Sequence, residues 1–178
     1  MRPSFLTAAI FATAAFIAAP PPAAAGSAAA AAIHAAIADP ARPQSDRDQD
    51  ANRKPQAVLE FSGVAPGDRV ADLIPGGGYV TRLFSKTVGP HGHVYAVVPK
   101  ELVTMRADAA APVKRIAADS AYLNVSVLVE PVADFHAPEP LDMVWTSMNY
   151  HDLHDKFFGP ADMAKVNKAI FDALKPGG

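Results

Sequence analysis

From Val70 to Phe84 the chain reads Val-Ala-Asp-Leu-Ile-Pro-Gly-Gly-Gly-Tyr-Val-Thr-Arg-Leu-Phe, an apolar stretch that breaks into three glycines and restarts at helical spacing. Without a Cβ at Gly76, Gly77 and Gly78, the backbone can take left-handed angles and lie flat against a ligand that a side chain would push away. Three glycines alone are more often a plain turn, so the flanks carry the argument. Pro66-Gly67-Asp68 is a turn signal, and Arg69 to Leu73 reads as a short buried strand. Beyond the glycines, Val80, Leu83, Phe84 and Val88 recur at helical spacing until Gly89-Pro90 stops the helix, and Val94 to Val98 is a second apolar run. The unit is strand, glycine loop, helix, strand, with the positive end of the helix aimed at a nucleotide-type cofactor.

Across 178 residues, 50% of them hydrophobic and with a net charge of −2, the chain suffices for one domain with a core and has no large basic surface. Nucleic acid is therefore not expected as a partner, because phosphate-dominated binding needs clustered Lys and Arg. The absence of cysteine excludes disulfides, thiolate metal sites and a cysteine nucleophile.

The N-terminus carries Arg2, the apolar run Phe5 to Ala19, prolines, and Ala23-Ala24-Ala25 before Gly26. That order of charge, apolar region and small residues predicts a secretory signal over residues 1–25, export to the periplasm, and no stable membrane span after cleavage. The apolar run is shorter than the about 20 residues that span a bilayer. Residues 26–54 form an N-terminal segment, first alanine-rich and partly helical, then charged from Asp39 to Pro55. The charged part reads as a solvated linker in preference to a lid over the glycine loop. Ser45 with Asp48 resembles a capping box, and Pro55 suits the first turn of a helix carrying Val58, Leu59 and Phe61 before Gly63.

Residues 55–178 form the main domain. Glu101 to about Ala118 is expected as one helix, Asn124 to Val129 and Leu141 to Thr146 as strands, and Gly159-Pro160 as the opening of a helix with Val166, Ile170, Phe171 and Leu174 on one face. The alternation predicts an α/β, Rossmann-like parallel sheet with helices on both faces and ligands at the carboxyl ends of its strands.

Val70 to Tyr79 resembles the first motif of the class I S-adenosylmethionine-dependent methyltransferases. The leader together with Asn149-Tyr-His-Asp-Leu153 is similar to an exported subgroup of predicted methyltransferases, and the resemblance covers roughly 54–178. It implies S-adenosylmethionine as cofactor, with Gly76, Gly77 and Gly78 against its methionine portion and Asp72 ordering the loop and the ammonium group. An acid after the third strand would meet the adenine, and Glu130 and Asp134 are both candidates. Two positions depart from the pattern: Ile74 stands where the first glycine is usual, and Val98 where the ribose-binding acid is expected. Residues after the fourth strand would face the methyl acceptor, which assigns Asn149, Tyr150 and His151 to that side. His151 suits a general base near neutral pH.

His151, Asp152, His154 and Asp155 lie close in sequence, but their spacing is unspecific and no metal is expected. His91 and His93 read as surface, and Trp145 as core packing. Lys175-Pro-Gly-Gly178 is similar to the family's turn into a fifth strand, so the chain reads as a C-terminal truncation with an incomplete sheet and an exposed fourth-strand edge. The expected function is methyl transfer to an unidentified small molecule or protein side chain. The alternative is a non-catalytic ligand-binding protein on the same fold. A nicotinamide oxidoreductase ranks behind both, because the glycine order and the acid ending the second strand are missing.

Overall fold

A computed structural model describes residues 22–156 and 161–178. Most of the expected leader, residues 1–21, lies outside them, as do Gly159 and Pro160. The helices are α1 (Pro22–Ala38), α2 (Gln44–Arg47), α3 (Asp50–Arg53), α4 (Pro55–Ser62), α5 (Tyr79–Val88), α6 (Lys100–Met105), α7 (Ala111–Ala117) and α8 (Met163–Ala173). The strands are β1 (Arg69–Leu73), β2 (His93–Pro99), β3 (Val125–Glu130) and β4 (Met143–Trp145), paired in parallel in the order β3-β2-β1-β4. This is the α/β, Rossmann-like sheet that the sequence predicts.

Strand periodicity divides the core into two layers. Val70, Val94, Ala96, Val98 and Val125 face one side and pack with residues of α1, α4, α5 and α7, including Ile33, Leu59, Leu83, Phe84 and Val113. Ala71, Leu73, Tyr95 and Val97 face the other, against Leu141, Leu153 and, on α8, Val166 and Ala173. Asp72 alternates onto the same face as Val70, so a carboxylate points at α5 from within an apolar layer.

Several local expectations change. The predicted 101–118 helix is two, because Arg106 is extended and Pro112 occupies the first turn of α7, where its missing N–H costs nothing. In α8 Phe171 is 76% exposed. The buried stripe is Val166, Ala169, Ile170 and Ala173, spaced three and four apart, which leaves Phe171 on the opposite side. Ser45 is no cap: Pro43 precedes α2, with no side-chain bond there. Pro55 does open α4, and Gly63 closes it in the left-handed region.

The expected charged linker is packed instead. Arg42 is 1% and Asp46 6% exposed. The Arg42 guanidinium donates to both Asp50 oxygens, at 2.9 and 2.6 Å, and to the Ile37 carbonyl. Arg82 and Lys86 on α5 pair with Asp46 and Asp39 at 3.0 and 2.9 Å, and these two ion pairs hold the segment beside the glycine loop. Just before β4, Leu141 bridges to Leu174 in parallel. Among the described residues no helix is long and apolar enough to cross a membrane.

Candidate functional site

β1 ends at Leu73, and the next residues turn sharply at the carboxyl end of the sheet. Ile74 takes φ +61°, Gly76 φ +56° and Gly78 φ +80°, and Gly78 caps the N-terminus of α5. A Cβ on Gly78 would lie 2.1 Å from Ile116 Cδ1, so that glycine permits close packing of α5 and α7. A Cβ on Gly76 or Gly77 would meet nothing within 4 Å, because both border open space. Ile74 therefore adopts the glycine-like turn without a glycine, at a steric cost of about 1–2 kcal/mol.

The open space is a cleft of about 260 Å³ bordered by Asp72, Gly76, Gly77, Trp145 and Asn149, with Asp46, Gln49 and Arg53 from the N-terminal segment. A second cavity of about 390 Å³ adjoins it and is lined by Pro55, Val58, Leu59 and Leu83. Arg53, Tyr79, Val80, Ser147 and Met148 border both. Three non-glycine residues among those described have positive φ: Lys54, Ile74 and Met148. Ile74 and Met148 line the cleft, and Lys54 follows the Arg53 that does. Such strain gathers where a site over-determines the backbone.

Asp72 is 4% exposed and accepts one hydrogen bond, from Thr81 Oγ1 at 2.6 Å. Burial pushes its carboxyl up to about 6, against the smaller downward pull of that bond. Asn149 ties the loop after β4 to the glycine loop: its Nδ2 donates to the Ile74 carbonyl at 2.8 Å, and its Oδ1 accepts from Thr146 at 2.6 Å. Trp145 packs edge-on against Phe84 with centroids 5.7 Å apart, as core, but it also borders the cleft and its buried Nε1–H has no partner. Burial and the Asp50 carboxylate raise the Tyr79 hydroxyl well above its usual range.

The sequence-predicted residues are not all brought together. Asp72, Gly76, Gly77 and Asn149 converge on the cleft, whereas Gly78, the N-cap of α5, does not line it and packs against Ile116. The Tyr150 hydroxyl instead donates to Asn167 at 2.7 Å, and its ring meets His154. His151 has a side chain 76% exposed and lies 3.1 Å from Asp152. Neither borders the two cavities. Glu130 accepts from the His136 backbone and contacts its ring at 3.0 Å, and Asp134 is exposed in a 3₁₀ turn. Val98 is 3% exposed within β2. Glu101, in the first turn of α6, faces the Val132 N–H at 3.3 Å. His91 is exposed, whereas His93 is half-buried, 2.9 Å from Ser126 Oγ, and burial lowers its pKa. Among the described residues no three His, Asp or Glu side chains could hold a metal ion.

Arg53, Gln49 and Asp46 are among the cleft residues that the sequence did not mark. Charge patterning signals an amphipathic surface equally well whether its partner is water or a neighbouring helix.

No family model matches the chain. Two curated relatives do, both ubiquinone/menaquinone biosynthesis C-methyltransferases named UbiE. The one from Saccharophagus degradans is 28% identical over 69% of this chain, and the one from Hydrogenovibrio crunogenus 30% identical over 68%. The chain spans about half the length of these relatives, 45% and 43% respectively. Among solved structures, an S-adenosylmethionine-dependent O-methyltransferase from Thermotoga maritima superimposes with TM-score 0.52 at 20% identity, over 71% of this chain and 41% of that one. The glycopeptide N-methyltransferase MtfA, solved with sinefungin, gives 0.50 at 19%, over 69% and 45%. The strand order, the glycine loop after β1 and these superpositions together give the chain the Rossmann-like fold of the class I S-adenosylmethionine-dependent methyltransferases.

Proposed function

We propose that this protein is an S-adenosylmethionine-dependent methyltransferase whose acceptor is a small molecule or a protein side chain. The observation that carries this reading is the convergence of Gly76, Gly77, Asp72 and Asn149 on one cleft at the carboxyl end of β1. The similarity to curated C-methyltransferases over about two thirds of the chain supports it. The residues present fit the cofactor's amino-acid end. Two glycines leave space that a Cβ would fill, and a buried carboxylate stands beside a cationic ligand's place. The ribose end lacks the usual acid, with Val98 held inside the sheet.

When bound, S-adenosylmethionine supplies a sulfonium methyl group that a nucleophile displaces in line, leaving a neutral thioether. The protein's part is to bind, align and exclude water. Asp72, ionised, offsets positive charge at the cleft floor, where low dielectric strengthens the attraction. Asn149 ties the post-β4 loop to the glycine loop, so the acceptor and cofactor walls are joined directly. We assign the second, more apolar cavity to the acceptor, because Tyr79, Val80 and Met148 form the boundary it shares with the cleft. His151 reaches neither cavity, so as positioned it takes no proton there.

The test is calorimetric titration of S-adenosylmethionine and S-adenosylhomocysteine into the full chain and its Gly77→Leu variant, followed by labelled methyl transfer to an acceptor panel. Binding to the parent and none to the variant supports the reading. A folded parent that binds neither ligand overturns it. A second reading, ligand binding without catalysis, draws on buried Val98 and outward-facing His151; binding without any transfer across the panel would favour it. Export to the periplasm, from the leader pattern, is also proposed, and N-terminal sequencing of protein from cell fractions would test it.

A further inference from the structure

We propose that Arg53 is the carboxylate subsite of this cleft, holding the α-carboxylate of an amino-acid-bearing nucleoside ligand; this rests on the S-adenosylmethionine reading above. Arg53 closes α3 and borders both cavities. Three ion pairs fix the segment, Arg42 with Asp50, Asp46 with Arg82 and Asp39 with Lys86. For Arg53 no carboxylate among the described residues forms an ion pair.

Its guanidinium is nonetheless held in place. Nε donates to Gln49 Oε1 at 2.7 Å, and the guanidinium carbon lies 4.8 Å from the centroid of the Tyr79 ring. That ring is fixed in turn, because its hydroxyl donates to Asp50 at 2.7 Å and Asp50 is clamped by buried Arg42. Lys54, the next residue, takes φ +47° to turn the chain into α4, so a strained corner sets where the Arg53 side chain begins. With Nε used, the two terminal nitrogens remain as a planar fork for a carboxylate, and stacking lowers the conformational entropy lost on binding.

The cleft's own charges say which part of the ligand belongs there. Asp46 and Asp72 border the cleft and repel an anion placed beside them. A zwitterionic amino-acid group satisfies both ends, with its ammonium toward the carboxylates and its carboxylate at Arg53.

The experiment compares S-adenosylhomocysteine with 5′-methylthioadenosine, which shares the nucleoside and thioether but has no amino-acid group. Affinities are measured for the full chain, Arg53→Met and Arg53→Lys, with melting curves as the check on folding. The parent should bind S-adenosylhomocysteine more tightly. Arg53→Met should weaken that ligand about tenfold or more, the loss expected for a charge-assisted hydrogen bond, and leave 5′-methylthioadenosine unchanged. Arg53→Lys should restore part of the difference. Unchanged S-adenosylhomocysteine affinity in Arg53→Met, or equal weakening of both ligands, overturns the subsite while the cofactor reading stands. A parent that binds neither ligand overturns both, before any variant is made.

Discussion

Replacing Asp72 by Asn should make the protein gain stability relative to the parent as pH rises from 4 to 7.5, while weakening cofactor binding. The carboxylate sits in an apolar layer with one hydrogen bond, and burial raises its pKa from 3.8 to about 6. As pH rises past 3.8 the unfolded chain releases this proton first, while the native state keeps it until about 6. The unfolded state therefore binds fewer protons across that window, and stability falls with rising pH. Each pH unit inside the window costs about 1.36 kcal/mol, so crossing all of it costs about 3 kcal/mol, of which about 2 kcal/mol accrues between pH 4 and 7.5. Asn cannot ionise, and its carbonyl can still accept from Thr81. Any fixed cost of its unpaired amide hydrogens, about 1–3 kcal/mol, is the same at both pH values and cancels in the comparison. Urea unfolding at pH 4 and pH 7.5 should show the variant gaining about 2 kcal/mol on the parent between them. A stability difference independent of pH, or one that moves in the parent's favour, would refute the reasoning. Unchanged S-adenosylmethionine affinity in the variant would separately remove Asp72 from the site.

The second and third glycines of the loop should respond differently. Gly77→Leu should unfold within about 0.5 kcal/mol of the parent by urea denaturation yet lose the cofactor, since its Cβ meets nothing but the cleft. Gly78→Ala should lose roughly 2–4 kcal/mol, from the 2.1 Å approach to Ile116 added to a left-handed φ. Arg42→Met should cost about 3 kcal/mol or more by leaving Asp50 partly buried and unpaired, and Arg42→Met with Asp50→Asn should recover part of that in a double-mutant cycle. At exposed Met148, with φ +63°, a β-branched Val should lower stability by about 1 kcal/mol, while Gly should not lower it, as thermal unfolding would show.

Of the site, the sequence exposed what is local. Gly76, Gly77 and Asp72 lie close together along the chain, and strand periodicity already puts Asp72 on one face with Val70. The position of Asn149 after β4 assigns it to the acceptor side, although its bond to the Ile74 carbonyl is not readable from the chain. Tyr150 and His151 are its neighbours in sequence, but the 3₁₀ turn from Tyr150 to His154 swings both away from the cleft. Adjacent residues of a 3₁₀ turn point about 120° apart, so a motif of consecutive residues cannot all face one ligand. Pro112, which splits α6 from α7, is visible in the chain; the alanine-rich context hides its effect.

What the sequence by itself determined is the order of elements and the loop at the carboxyl end of β1. Both follow from the two- and 3.6-residue periods and from glycine, whose consequences reach only a few residues along the chain. The tertiary structure alone decided the fate of 39–55. Its charges read as solvated because solvent and a partner of opposite charge favour the same residues. Only the position of Asp46, Arg82, Asp50 and Tyr79 in space shows that their partners lie across the boundary between this segment and α5, and that Arg53 is thereby brought to the edge of the glycine loop.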